Sequence, residues 1–488
     1  MNKEITSETG SSFDFQSRCQ DLFVLVNTGC QCVFHAIRLV GLAITVLFLI
    51  SFSANTFASN APLPNVVIFF SDDAGYGDFG FQNSPTHLTP WIDKLAAAGT
   101  MFTQAYASSS VCSPSRAGLL TGRYQNRFGI EYNLPTQISG QYELSKAGLP
   151  QSEITLADLV KSKGYHTAMI GKWHLGENTQ FLPDKRGFDK YFGLMGGSSG
   201  YHTGKARKIV SNYRNVDTST LPYLTDALGD EAVAFVKENK DRPFFLYFPF
   251  NAPHGPLHAK PEYLNKYKKQ FANRKRAANA ALTQSMDENI GKVLGTLSQL
   301  GLKNNTLVIF ANDNGGQDNQ NGASNQPLNG TKGTVLEGGI RIPMIISWPQ
   351  ELPAGKRYDE FVSTLDILPT VAKALDLNIP AELIYDGVDL LPYLRGEIYQ
   401  PPHETLFWQV NWASAVRHKN WKLIHTPAND TLLFDLDSDI TESHDLSLQH
   451  PEIVEHLNDK LNRWQAQMSS PLWTPEEKWK RSAQSLYH

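Results

Sequence analysis

The sequence predicts an α/β architecture: a large mixed, mostly parallel sheet flanked by helices, with a smaller C-terminal antiparallel sheet plus helix. Three observations point there. Short continuous apolar runs end abruptly in polar, Gly-rich turns, as strands buried on both faces of a sheet do. Helical patterns fill the intervals between the runs, which suits a mostly parallel sheet. Past about residue 380 the texture changes to closely spaced short strands.

The runs are Val66 to Phe70, Thr167 to Ile170, Phe244 to Phe250, Leu307 to Phe310 and Pro343 to Ser347. Four lead into polar turns: Ser71-Asp72-Asp73-Ala74-Gly75, Gly171-Lys172-Trp173-His174, Asn251-Ala252-Pro253-His254 and Ala311-Asn312-Asp313-Asn314-Gly315. Ligands of parallel sheets collect beyond the carboxyl ends of the strands, so these turns are expected to converge although they are far apart in sequence. Between the runs, Thr89-Pro90 is expected to cap a helix that stops at Gly99, and Thr155 one that stops at Gly164. Met286, Ile290, Val293, Leu294, Leu297 and Leu300 share one helical face, ended by Gly301. Thr405 to Val410, Ala413 to Arg417, Trp421 to Thr426 and Thr431 to Leu436 read as the short strands. A helix from Pro451 to about Met468 follows them.

The 488 residues are 41% hydrophobic and 19% charged, a globular composition with room for two or three domains. A net charge of -4 gives no global basic field, which argues against a nucleic-acid partner. An anionic substrate would have to be gripped by a local pocket. The basic clusters Lys205-Arg207-Lys208 and Arg274-Lys275-Arg276 read as solvated surface. Arg38, the apolar run Leu39 to Phe52 and the small residues near Ala58 describe a secretory leader. The run is short of the roughly 20 apolar residues of a membrane span, and an uncleaved anchor is the alternative. The expected organisation is a leader over 1–58, a catalytic α/β domain over 59–380 and a C-terminal subdomain over 381–488, in an exported protein, periplasmic or extracellular. Cys19, Cys30 and Cys32 fall inside the leader, so Cys112 is left without a thiol to pair with.

Asp72-Asp73 and Asp313-Asn314 form two acidic turns at strand ends. They would repel each other unless a cation sat between them. Oxygen donors alone favour a hard ion, Ca²⁺ ahead of Mg²⁺. Turn chemistry would account for either pair alone; the two together favour the metal. Ser113-Pro114 can start a helix ending near Gly122, which sets Cys112 at its positive end beside Arg116. A thiolate there would be nucleophilic, yet it is a poor companion for a hard cation.

Cys112-Ser113-Pro114-Ser115-Arg116, followed by Leu120-Thr121-Gly122, resembles the signature of the type I sulfatases, members of the alkaline-phosphatase-like superfamily. Five further segments are similar to that family's: Asp72 to Asp78, Gly171 to Gly176, Pro253 to Pro256, Asn312 to Gly315, and Lys332-Gly333 running into Glu337 to Arg341. Phe434-Asp435-Leu436 with Glu442 resembles its C-terminal strand. The resemblance implies that a formylglycine-generating enzyme oxidises Cys112 to formylglycine, whose hydrated aldehyde is an oxygen nucleophile compatible with calcium. It implies Asp72, Asp73, Asp313 and Asn314 as calcium ligands and Arg116 as support for the diol. Lys172 and Lys332 would bind sulfate oxygens, His254 would protonate the leaving alcohol, and His174 would draw the proton that releases sulfate. Ser198 and His202, in the stretch Gly196 to His202, are candidate substrate contacts. The expected activity is hydrolysis of a sulfate ester on a sulfated polysaccharide or oligosaccharide, with a lean to an algal galactan such as carrageenan. Two other readings compete: a phosphate or phosphonate monoester hydrolase of the same superfamily, and a non-catalytic, calcium-stabilised sugar-binding protein.

Overall fold

Asn65–Ser71 forms strand β1, and all seven of its residues are buried. Its β-branched and aromatic side chains carry no polar alternation, so the strand fits only where both faces are covered. Val66, Ile68 and Phe70 enter the core on one side of the sheet. Val67 and Phe69 enter the core on the other. The computed structural model describes residues 63–135, 146–475 and 477–487, so the leader expected over 1–58 lies outside the described residues.

The remaining strands of the large sheet are β2 (Thr100–Tyr106), β3 (His166–Lys172), β4 (Lys190–Leu194), β5 (Ile209–Ser211), β6 (Arg214–Asn215), β7 (Phe244–Pro249), β8 (Thr306–Asn312), β9 (Arg341–Ser347), β10 (Lys356–Tyr358) and β11 (Val362–Ser363). Their order is β10-β2-β9-β8-β1-β7-β3-β4-β5-β6, with β11 also on β2. The centre, from β8 through β1, β7 and β3 to β4, is parallel. β9 runs antiparallel to both β2 and β8, and the edge strands β5 and β6 are antiparallel too. The sheet is therefore mixed and mostly parallel, as the sequence predicts.

The helices that flank it are α1 (Pro90–Ala97), α2 (Cys112–Thr121), α3 (Leu156–Ser162), α4 (Leu224–Glu238), α5 (Pro261–Tyr267), α6 (Arg274–Gln299) and α7 (Ile367–Ala374). Thr155 caps α3 as expected, accepting from the Asp158 N–H in a reciprocal box. Thr89 precedes α1 but does not cap it. Its hydroxyl donates to Asp93 and accepts from the Gly80 N–H, so it ties α1 to the preceding turn instead. On α6, Met286, Ile290, Val293 and Leu297 are buried, and the expected face is the one that packs. No helix among the described residues is long and apolar enough to cross a membrane.

Strands β12 (Thr405–Val410), β13 (Ala413–His418), β14 (Trp421–His425) and β15 (Thr431–Asp435) form a separate antiparallel meander, with α8 (Pro451–Gln465) on it. One face packs Val416, Leu423 and Leu433 against Leu457, Leu461 and Trp464 of α8. The other packs Trp408, Ala415 and Ile424 against Tyr106, at the end of β2, and Val111. The Trp408 indole donates to the Ala107 carbonyl at 2.8 Å, so the small sheet braces the chain leading to Cys112. A buried ion network completes the seam. Lys422 Nζ lies 2.8 Å from Glu337 and 2.8 Å from Glu442, and the Glu442 carboxylate accepts from the Glu337 N–H.

Candidate active site

β8, β1, β7 and β3 are parallel neighbours, so their carboxyl ends lie side by side. The four polar turns meet there, as the sequence predicts. Asn312 locks two of them together: its amide donates to the Ala74 carbonyl and its oxygen accepts from Ser71 and from the Ala74 N–H. A Cβ at Gly171, whose φ is +136°, would lie 1.8 Å from the Pro249 carbonyl oxygen. Only glycine lets β3 pass β7 so closely just before Lys172. Asp73 and His174 hold left-handed backbone, φ 61° and 57°. Non-glycine residues avoid that region, and such strain concentrates at functional sites.

α2 begins at Cys112, one residue earlier than the sequence suggests, and ends on Gly122 with φ 65°. Every one of its residues is buried. Its first turn aims the Cys112 thiol at the acidic turn: Sγ lies 3.5 Å from Asp72 Oδ1 and 3.8 Å from Asp73 Oδ1. Lys332 Nζ donates to the same sulfur at 3.0 Å and to Asp73 at 2.6–2.8 Å. Lys172 Nζ stands 2.6 Å from Asp72 Oδ2. The Arg116 guanidinium donates to Asp313 Oδ2 at 2.7 Å and lies 3.6 Å from Asp72 Oδ1, so both carboxylates face one cation. Lys332 is fixed from both sides: its N–H donates to Gly316, and the next N–H to Ser110.

Three buried carboxylates thus meet three buried cations. Burial pushes Asp72 up to about 7, with Asp313 adding to the rise against the pull of Lys172. Burial also opposes ionisation of Asp73, but Lys332 and His254 outweigh it and hold that carboxyl well below its usual range. Burial raises the Cys112 thiol well above its usual range, which disfavours the nucleophilic thiolate. His254 Nε2 lies 3.5 Å from Asp73 Oδ2, while Nδ1 donates to the Gly255 carbonyl at 2.6 Å. Burial, then Lys172 and Lys332, lower His254 to about 4 despite Asp73. Burial and the surrounding Lys172, Arg116 and Lys332 hold His174 well below the usual histidine range.

Among the described residues, Asp72, Asp73, Cys112 and His254 form a group whose ligand atoms all lie within 4.8 Å of one another. Asp313 joins it through hydrogen bonds instead, accepting from the Asp73 N–H and from Arg116. The Asn314 amide donates to Asp73, and its Oδ1 is buried without a partner. A buried unpaired oxygen beside carboxylates is what an oxygen-liganded cation would satisfy. The donors fit calcium through their oxygens; the sulfur does not.

A family model described as Sulfatase matches residues 64–377. The chain belongs to the sulfatase family. A second model, N-sulphoglucosamine sulphohydrolase, C-terminal, matches residues 331–467. This sulfatase is 35% identical to N-acetylgalactosamine-6-sulfatase of Mus musculus over 378 residues, 73% of this chain and 71% of that protein. It is 32% identical to steryl-sulfatase of Mus musculus over 453 residues, 75% of this chain and 71% of that one. The crystal structure of Ps i-CgsB in complex with k-i-k-neocarrahexaose superposes with a TM-score of 0.79 at 33% identity, over 87% of this chain and 98% of that one. The fold is alkaline-phosphatase-like, and the sulfatase is a sulfuric ester hydrolase.

The mouth of the sulfatase site is a cavity of about 430 Å³ lined by His254, Ser198, Gln317, Gln320 and Asn321. Ser198 is exposed and shares this cavity with His254. His202 stands back from it, its ring against Tyr223 and His258. The imidazole of His174 packs on the same loop, where a Cβ at Gly197 would meet Nε2 at 2.7 Å. The sequence reading missed Tyr201, whose hydroxyl lies 2.5 Å from the Asn251 carbonyl and 2.8 Å from that of His254, bolting the loop to the histidine turn. Arg276 is not the solvated cation expected: it pairs with buried Asp78 and braces the first acidic turn. An aromatic in a Gly-Ser stretch and an arginine on a helix carry no local signal of such partners.

Proposed function

We propose that this protein is a calcium- and formylglycine-dependent hydrolase of sulfate esters on a sulfated galactan, carrageenan being the model substrate. The observation that carries the reading is the buried Cys112 side chain at the start of α2, enclosed by Asp72, Asp73 and Lys332. A neutral thiol does little chemistry beside a calcium site, whereas an oxygen at the same position fits the donor set. With calcium bound and residue 112 carried as a hydrated aldehyde, the pair supplies an oxygen nucleophile at neutral pH. Lys172 and Lys332 present fixed cations where charge gathers on the sulfate oxygens. Arg116 holds Asp313 and Asp72 in register. His254 lines the cavity with Nδ1 committed to Gly255 and Nε2 beside Asp73, and its Nε2 hands a proton to the leaving alcohol. Burial depresses this imidazole first and the lysines second; the charge of a bound sulfate ester offsets the lysines and favours the protonated ring. His174, neutral and away from the mouth, serves as the base of the release step, and Ser198 contacts the sugar.

The galactan assignment is supported by the likeness to Ps i-CgsB, solved with a neocarrahexaose, over nearly the whole of that chain. The leader pattern and the lone thiol support export to the periplasm or beyond, and maturation by a formylglycine-generating enzyme. The test has two parts. Mass measurement of the peptide containing residue 112 is expected to show an aldehyde; an intact thiol together with sugar binding would favour a non-catalytic protein. Matched aryl sulfate and aryl phosphate esters are expected to release sulfate far faster than phosphate; the reverse would favour the phosphoesterase reading. A two-metal phosphoesterase also needs acidic companions at both histidines. His254 has Asp73, which already serves the first group, and His174 Nδ1 has no partner.

A further inference from the structure

A second cavity of about 430 Å³ opens beside the first and shares Ser198 and Pro256 with it. Its other walls are Ser199, Gly200, Gly204, Lys205, Arg207 and His258. Among the described residues no carboxylate lines it. Lys205 and Arg207 are exposed, and no acid lies within ion-pair distance of either among the described residues. The neighbouring Lys208 has taken the local acid, Glu177, at 2.8 Å. His258 stacks on His202 with ring centroids 6.1 Å apart, and its Nδ1 is buried without a partner. This is a cationic hollow in a chain of net charge -4.

The loop that bears the two cations is held in shape. The Arg207 N–H donates to Ser199 Oγ at 2.8 Å, the Lys205 N–H to the His202 carbonyl at 2.8 Å, and the Gly204 N–H to Thr218 at 2.7 Å. Tyr201 fastens the same loop to the His254 turn. The hollow therefore keeps a fixed relation to the mouth where the leaving alcohol departs. Its size suits one further sugar unit, and its lining suits an anion.

We propose that Lys205 and Arg207 bind a second anionic group of the substrate, a sulfate or a carboxylate on the sugar next to the one that is desulfated. The proposal deepens the sulfatase reading of the adjoining pocket and rests on it. The enzyme then prefers chains with an anion on the neighbouring unit, and discriminates through KM while kcat stays the same. Neither cation touches the Asp72–Cys112–Lys332 cluster, so the chemistry itself does not depend on them.

The experiment compares the mature wild type with Lys205→Ala/Arg207→Ala on three oligosaccharides. One is a neocarra-oligosaccharide with a single sulfate, the second carries an additional sulfate on the neighbouring sugar, and the third carries a uronate there. Two exposed ion pairs predict a rise in KM of roughly threefold to thirtyfold for a doubly anionic substrate. The singly sulfated one is expected to be unaffected, and the swap Lys205→Arg/Arg207→Lys to retain most of the preference. Whichever doubly anionic substrate responds identifies the anion. Equal loss on all three, or no loss on any, overturns the proposal. Should the wild type release sulfate from none of them, the sulfatase-on-galactan reading fails by itself. Calorimetric Kd values for the same oligosaccharides, wild type against variant, then decide the anion site with the same criteria.

Discussion

Replacing Arg116 by Met tests whether the acidic cluster is a cation site. Arg116 is fully buried, 2.7 Å from Asp313 Oδ2 and 3.6 Å from Asp72 Oδ1. Removing one member of a buried ion pair leaves an uncompensated charge, at about 3–5 kcal/mol. Unfolding entropy scales at roughly 2 cal/mol/K per residue, so in a unit of this size the loss lowers Tm by roughly 3–6 °C. The sign of the calcium response follows from the charges. With all three carboxylates ionised, the state a bound cation selects, Asp72, Asp73 and Asp313 balance Arg116, Lys172 and Lys332, so the wild-type cluster is then neutral and the variant's carries one net negative charge. A double and a single charge about 5 Å apart interact by roughly 7 kcal/mol at an effective dielectric constant of 20. Even a fifth of that is about 1.4 kcal/mol, a tenfold gain in calcium affinity. Scanning calorimetry in chelator and in millimolar calcium reads both effects. The variant is expected to melt several degrees lower in chelator and to recover at least 1–2 °C more with calcium than the wild type does. A drop below about 1 °C, or an equal calcium response in both proteins, would show that Arg116 does not balance a cation site.

Cys112→Ser is expected to abolish multiple turnover of sulfate esters while leaving the calcium-dependent Tm shift; sustained sulfate release by this variant would show that residue 112 needs no modification. Lys422→Met removes the lysine shared by buried Glu337 and Glu442, the latter raised to about 7 by burial, and leaves Glu337 with Arg341 and Tyr106. Urea midpoints are expected to fall by the equivalent of about 3–5 kcal/mol, and Lys422→Met/Glu442→Gln to regain part of it. The nearly covered His403 ring lies 2.8 Å from buried Asp366, and that carboxylate outweighs the desolvation and raises its pKa above 6.5. The raised value means that the pair's stabilisation is fully present below about pH 6.5 and fades as pH rises through the folded-state pKa. His403→Gln should therefore lower the urea midpoint at pH 5.5, by about 1–3 kcal/mol, and lower it less at pH 8.5; an equal loss at both would contradict the charged pair.

What sequence could disclose follows from how locally each feature is encoded. β1, β3, β7 and β8 are legible because strands covered on both faces must be apolar throughout. β2 is not, because Thr100, Thr103 and Gln104 interrupt it; its place is set by antiparallel pairing with β9, a distant segment. Thr155 and Thr89 read alike as caps; only the fold shows that Thr155 pairs with Asp158 in a box while the Thr89 hydroxyl goes to Asp93. In the site, residue types and turn positions were readable, and neighbouring strands then brought them together. That His254 stands by Asp73 while Asp313 turns to Arg116 depends on side-chain reach across strands, which no spacing encodes. The Lys205 and Arg207 side chains looked like ordinary wet surface, since only the surrounding hollow, and the diversion of Glu177 to Lys208, sets them apart.

The strand order has an evolutionary corollary. Asp72, Lys172, His254 and Asp313 sit on or just past the central strands β1, β3, β7 and β8, where any displacement disturbs a neighbour on each side. The 196–208 loop lies between β4 and β5, on the outer flank of that sheet. Lineages, or a protein engineer, can therefore redraft the clientele of this enzyme by recasting the border hairpin and its approach while the catalytic interior stays as it is.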